Sequence, residues 1–557
     1  MARGRRGGKG PPQESIDSIL LAMSRRDDID PDTLAHYFDR LDEDWTEGAR
    51  DKVLHLLRTN DTKAHSAAIL ILSELATDFD LEELEDFVAD PTVSDLAKLT
   101  LAPILKELGS EMADEGIMDY LNDPETAMLQ MQMRLLELVG QSELGVESVL
   151  EDVEKMPVER RLGFISWLGS SQDPRAANLL IPMIENTSTK IVAAAIDALE
   201  HLGPVAGNRS IPALNYLLTS TSNRQVKQQA RAALGRLTMQ STPGTEDAAM
   251  AEARQYQLPL YEARASFVDG AGTQMVMLAW QRPDGLLKGV NILYQDEWGI
   301  KDCYGTDEME VERWGELIES MQGQGFGSFR VSLEYCYALI SEARAVNKRT
   351  RHKVPVAYAV WRPLIEGGFQ QKSGSGGSIK LEPLSFTMEV EKTAQHGDEL
   401  YQLSEFDSWY FDPFDSVKPY INSYLARKGD TNPSRGRKRK GTRPAGEDSR
   451  AQQEAIVTEA LEKVIDDKWR LLYETRLRRQ GMLFQLAGRA NDAHLARATA
   501  SALHPDSGLP PQQQPFLRAM MHYTLENGFI RLMAEAMESG SFPSPLNLLS
   551  EEDDFYF

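Results

Sequence analysis

A hydrophobic helix that closes on leucine, often followed by glycine, recurs through the first half of this chain. It ends at Leu75, Leu108-Gly109, Leu138-Val139-Gly140, Leu168-Gly169, Leu202-Gly203 and Leu237. Successive leucines lie 33, 30, 30, 34 and 35 residues apart. That interval is the length of one helical hairpin, which is too small to bury its own apolar face and must stack on its neighbours. The feature commits this region to an α-solenoid, an architecture that presents extended surfaces for binding.

Within the period the detail is consistent. Ile191, Ala194, Ala195, Ala198, Leu199 and Leu202 recur three and four residues apart, as do Val226, Ala230, Ala233, Leu234 and Leu237. Each set marks one apolar helix face, and the alanines permit close helix approach. Asp90-Pro91, Asp123-Pro124 and Asp173-Pro174 punctuate three units. Aspartate can cap a following helix, and proline suits a first turn. Ile181-Pro182 and Ile211-Pro212 occupy matching places in successive units. Over Asp173–Leu237 this pattern resembles HEAT repeats of the short bacterial type, with the likeness good over 90–240 and weaker over 14–89. The period is shorter than the ~40–47 residues usual for that class. The resemblance implies a partner-binding solenoid over residues 14–240. Some HEAT-like solenoids cradle DNA, and others belong to lyases that attach bilins to antenna proteins, so nucleic-acid and enzymatic readings stand beside the scaffold.

At 557 residues the chain exceeds what one core can organise. Residues 1–13 read as a disordered basic tail and 241–255 as a linker. The region 256–366 reads as an α+β domain of antiparallel hairpins. Glu262–Val268, Thr273–Arg282 and Lys288–Gln295 have strand composition, and Trp298–Tyr304 can add a fourth strand. The turns Asp269-Gly-Ala-Gly272 and Arg282-Pro-Asp-Gly285 separate them. Helices are expected over Glu310–Met321 and Ser332–Val346, and alternation predicts a further strand at Val354–Trp361. Residues 367–426 form a loop-rich aromatic and acidic segment, 427–450 a disordered basic linker, 451–540 a helical domain and 541–557 an acidic tail. In the helical domain Ile456, Ala460, Val464, Trp469, Leu472 and Leu477 are spaced for one long amphipathic helix, followed by helices over Met482–Leu503 and Gln514–Glu538. The expected fold class is multidomain and mainly α.

Charge narrows the partners. Lys and Arg number 60 against 85 Asp and Glu, a net charge of −25. That excludes a surface that grips DNA or an anionic membrane throughout. No stretch approaches the ~18 consecutive apolar residues of a membrane span. Two cysteines, Cys303 and Cys336, cannot make a disulfide framework and suit a reducing compartment, so a cytoplasmic location is expected.

Five constellations could carry chemistry. Arg435, Arg437, Lys438, Arg439, Lys440 and Arg443 form a basic run able to contact phosphates, with Trp409-Tyr-Phe-Asp-Pro-Phe-Asp415 before it as a base-stacking patch. Against this, Asp407, Asp412 and Asp415 repel phosphate, and basic linkers are commonly only solvated. Asp296, Glu297, Asp302, Asp307, Glu308, Glu310 and Glu312 could bind a cation or act as acid and base, but they also suit a turn and a helix start. Cys303 and Cys336 have only His352 nearby as a base, and Cys336 reads as a core residue. Gly-Ser-Gly-Gly-Ser378 lacks the lysine and helix of a phosphate loop. Lys348, Arg349, Arg351, His352 and Lys353 follow a helix, where cations oppose the helix dipole. No catalytic set, cofactor fingerprint or metal motif emerges. The expectation is a non-catalytic scaffold, with nucleic-acid association through the basic linker 427–443 and the Arg-rich N-terminal tail, or an enzyme site in 256–366, as alternatives.

Overall fold

The computed structural model describes residues 15–25, 29, 31–59, 61–240, 258–323, 327–367, 379–429 and 445–532. The basic run 435–443, the Gly-Ser loop at 378, the N-terminal tail, the 241–255 linker and the acidic tail lie outside them. The chain forms two compact units, Met1–Leu138 and Val139–Phe557. Their division falls inside the span expected as one solenoid.

The first unit is helical: α1 (Ile16–Arg25), α2 (Pro31–Glu43), α3 (Arg50–Leu57), α4 (Thr62–Leu75), α5 (Leu81–Ala89), α6 (Asp95–Glu107) and most of α7 (Pro124–Gln141). The recurring leucines close the second helix of successive pairs, with Leu75 ending α4 and Leu108 capping α6. Leu41, Val53, Leu57, Ile71, Leu84, Val88, Leu101 and Leu105 fill the core. Of the Asp-Pro pairs, Asp123 caps its helix by accepting from the Thr126 N–H at 3.2 Å, and Asp173 accepts from the Arg175 N–H at 2.8 Å in the turn that leads into the helix Ala176–Met183. Asp90 instead accepts from the Thr92 N–H and hydroxyl and from Arg58, while Ser94 caps α6. Those donors hold the Asp90 carboxyl down at about 2.

The second unit opens with three helical hairpins: α8 (Glu143–Lys155) with α9 (Val158–Ser170), α10 (Ala176–Met183) with α11 (Thr189–Leu202), and α12 (Gly207–Ser220) with α13 (Arg224–Gln240). The predicted stripes Ile191, Ala195, Ala198, Leu199, Leu202 and Val226, Ala230, Ala233, Leu237 are buried. Pro182 and Pro212 sit inside α10 and α12. Gly169 lets α9 approach α11 so closely that a β-carbon there would lie 2.8 Å from the Ala198 Cα. Polar rungs tie the stack: Gln229 Nε2 of α13 donates to Asp197 of α11 at 2.7 Å, and Asn178 Nδ2 of α10 donates to the Val139 carbonyl at the end of α7 at 2.7 Å.

A five-stranded antiparallel sheet follows, with strands β1 (Leu260–Ser266), β2 (Thr273–Gln281), β3 (Leu287–Gln295), β4 (Gly299–Met309) and β5 (Ser328–Arg330). Their order is β4-β3-β2-β1-β5, a meander with β5 added at the β1 edge. The β2–β3 turn closes through Gly285, whose φ of +91° is the left-handed conformation that the Asp-Gly signal anticipates. Helices α14 (Val311–Gly323) and α15 (Leu333–Thr350) lie where expected.

Two readings are corrected. Val354–Trp361 is not a strand: α16 spans Val356–Gly367. Ala357, Tyr358, Val360, Trp361, Leu364 and Ile365 are all buried, so the helix is apolar over most of its circumference. A short helix of that kind lacks a one-sided stripe, and its sequence mimics alternation. The expected long helix through Ile456–Leu477 is also broken. The chain forms α19 (Ala445–Val464) and α20 (Asp467–Leu486), because the Asp466 carboxylate caps α20 by accepting from the Trp469 N–H at 2.7 Å. With α17 (Met388–Ala394), α18 (Lys418–Gly429), α21 (Ala490–Leu503) and α22 (Pro515–Glu526), these helices build a second core.

That core absorbs the aromatic patch. Trp409, Phe411 and Phe414 are buried, and Phe411, Trp469 and Tyr473 stack in succession with centroids 5.1 and 3.8 Å apart. The base-stacking role expected of the patch is therefore overturned, since its rings are used internally. The same core clasps the β1–β2 turn. Trp409 Nε1 donates to the Val268 carbonyl at 3.0 Å, and Gln480 Oε1 accepts from the Val268 N–H at 2.9 Å.

Candidate functional site

The functional question for a solenoid is which helix row remains open. The first helices of the three hairpins, α8, α10 and α12, meet α15, α16 and β4. Trp361 Nε1 donates to Glu147 Oε2 at 2.8 Å. Arg362, buried in α16, pairs with Glu185 and lies 3.9 Å from the centroid of the Tyr216 ring on α12. Lys353 pairs with Glu154. Lys288 Nζ lies 2.5 Å from Glu143 Oε2 and 3.3 Å from Asp307 Oδ1, and the Leu144 N–H donates to Asp307 Oδ2 at 3.1 Å.

One lysine thus serves two enclosed carboxyls. Burial and then the Asp307 neighbour push the Glu143 carboxyl up. At Asp307 burial acts in the same direction, but bonding from Glu143, the Leu144 N–H and Lys288 outweighs it and holds the group below its usual range. Of the two carboxyls, Glu143 is the one whose surroundings favour the protonated form. Burial also raises Glu147, despite the Trp361 N–H.

The second helices, α9, α11 and α13, carry the exposed residues. Glu159, Arg160, Lys190, Asp197, His201, Gln228 and Arg231 are exposed. Phe164 and Trp167 form a half-buried aromatic pair on α9, with centroids 5.5 Å apart. Glu200 and Arg236 pair between α11 and α13. The row carries both signs: Glu159, Asp197 and Glu200 interrupt the cations on α9 and α11, while α13 bears Arg224, Lys227, Arg231 and Arg236 and no acidic residue. Aromatic side chains such as Phe164 and Trp167 are enriched at the cores of protein interfaces.

The sequence-predicted residues are scattered. Asp296 holds Arg476 through contacts of 2.8 and 3.1 Å, with Glu297 4.0 Å from the same guanidinium. Glu308 pairs with Arg282, Asp307 sits in the junction, Asp302 accepts from the Cys303 N–H, and Glu312 lies in the first turn of α14. Glu310 precedes that helix and its carbonyl accepts from the Trp314 N–H. Among the described residues, no three His, Cys, Asp or Glu side chains could hold a metal ion.

Cys303 and Cys336 are free and buried. His352 stacks on Trp298 with centroids 3.7 Å apart. Asp302, Cys303, Glu308 and His352 therefore do not converge on one pocket. Arg351 terminates α15 in the left-handed conformation, with Lys348 and Arg349 exposed in its last turn. Composition could not reveal the junction, whose partners lie 145 to 214 residues apart.

Residues 146–235, within these three hairpins, match the family of HEAT repeats. No curated protein and no solved structure matches the chain. No described helix is long and apolar enough to cross a membrane.

Proposed function

We propose that this HEAT-repeat protein is a non-catalytic scaffold whose protein partner docks on the second-helix row α9, α11 and α13. One observation carries the reading: the sheet module's bonds land on the first helices, while the second helices keep Phe164, Trp167 and charges of both signs accessible. HEAT repeats generally serve protein interaction. The free, buried cysteines suit a reducing compartment such as the cytoplasm.

The test compares affinity capture of the tagged wild type and of R160E/K190E/R231E from native cells, with and without nuclease. Arg160, Lys190 and Arg231 are exposed, so charge reversal leaves the fold intact. Specific partners that the wild type retains and the variant loses support this surface. Equal capture by both removes it. Partners lost to nuclease transfer the role to nucleic acid and to Arg435, Arg437, Lys438, Arg439, Lys440 and Arg443.

A further inference from the structure

Between the β1–β2 and β3–β4 turns, α15 and α20 lies a cleft of about 550 Å³. This volume suits a small organic ligand. Three arginines and three carboxylates line it: Arg349, Arg476 and Arg479, with Asp296, Glu297 and Glu342. Arg476 and Arg479 stand one turn apart on α20, with side chains 3% and 8% exposed.

The two buried guanidinium groups differ. Arg476 is consumed structurally: Nε and Nη2 donate to Asp296, and Nη1 donates to the Gly270 carbonyl at 2.7 Å. Arg479 gives Nη2 to Glu342, but its buried Nη1 has no hydrogen-bond partner. A buried charged donor without an acceptor is costly, and native structures rarely retain one without a use. At the rim, Arg349 is exposed and makes no ion pair with the described residues. Val268, Ala345, Val346 and Leu472 supply apolar wall.

We propose that this cleft binds a small monocarboxylic acid, with its carboxylate held by Arg479 and Arg349 and its apolar body on Val268, Ala345, Val346 and Leu472. The guanidinium fork matches a carboxylate. The charge count selects the class: the three lining carboxylates offset the three arginines in sum, so the cleft has no surplus positive charge to hold a dianionic phosphate, whereas Arg349, which makes no ion pair with the described residues, can take a single carboxylate. The binding is independent of partner docking on α9, α11 and α13.

The experiment is titration calorimetry of the full chain with hexanoate, benzoate, inorganic phosphate and hexanol. Hexanoate or benzoate should bind, and phosphate and hexanol should not. R349A should weaken binding about tenfold, the value of one charge-assisted contact. Ala345 is exposed on α15, so A345F should fill the cleft and abolish binding without shifting the melting temperature of the free protein. Neither carboxylate binding at about 10 mM, a free energy of only a few kcal/mol, overturns the proposal. So does equal binding of phosphate or hexanol, or binding that survives A345F.

Discussion

Trp361 and Glu147 lie 214 residues apart in sequence and share a 2.8 Å hydrogen bond that fastens α16 to the first HEAT hairpin. The indole is fully buried, and the carboxyl it meets is raised by burial. Trp361→Phe leaves that carboxyl without its donor and should cost about 1–3 kcal/mol. Trp361→Ala adds a cavity and should cost about 3–5 kcal/mol. Guanidinium denaturation of both variants measures the difference; an unchanged midpoint for the phenylalanine variant would show the bond to be energetically idle.

Two glycines of α9 should respond in opposite directions. A β-carbon at Gly169 would lie 2.8 Å from the Ala198 backbone, whereas at Gly163 it would meet nothing within 4 Å. Gly169→Ala should destabilise by about 1–3 kcal/mol through overpacking. Gly163→Ala should stabilise by about 0.5–1 kcal/mol through helix propensity. Thermal melts of the pair report the sign directly.

The Glu143–Lys288–Asp307 junction should be pH-dependent on both sides. The folded Glu143 carboxyl is raised, so its contribution is full below the unfolded value of about 4.3 and is lost as pH rises through the folded value. The folded Asp307 carboxyl is lowered, so its contribution is present above about 3.9 and is lost as pH falls through the folded value. Glu143→Gln should flatten the alkaline limb and gain about 1 kcal/mol near pH 8. Asp307→Asn leaves Lys288 one anion fewer and should cost about 2 kcal/mol or more. Stability measured from pH 4 to 9 decides both, and a wild-type alkaline limb retained by Glu143→Gln would contradict the assignment.

Neither thiol should react in the native protein. Burial pushes Cys336 up to about 12 and raises Cys303, where the Glu147 and Asp302 charges add to the effect. Iodoacetamide at pH 8 should leave the folded chain unmodified and add two groups after denaturation, as intact mass will show. Rapid native alkylation would reopen Cys303 as a nucleophile.

The solenoid and the hairpins were legible because their signals are local. Leu75 and Leu108 close helices because a repeat must end where its apolar face ends, and Asp284-Gly285 turns a hairpin because only glycine enters the left-handed region freely. Val354–Trp361 misled because burial around most of the circumference erases the helical stripe. The patch around Trp409 misled because composition cannot distinguish an exposed stacking surface from a core, and here Val268 and Tyr473 take the ring inward.

By itself, the sequence determined the repeat and the sheet's turns, each set by residues close along the chain. The tertiary structure decided which helix row is covered, where the one lysine of the junction sits, and which arginine of α20 keeps a donor unspent. These outcomes depend on side chains separated by more than a hundred residues, such as Trp361 with Glu147 and Arg476 with Asp296. Packing alone brings such pairs together and removes them from water, where their charges acquire consequence.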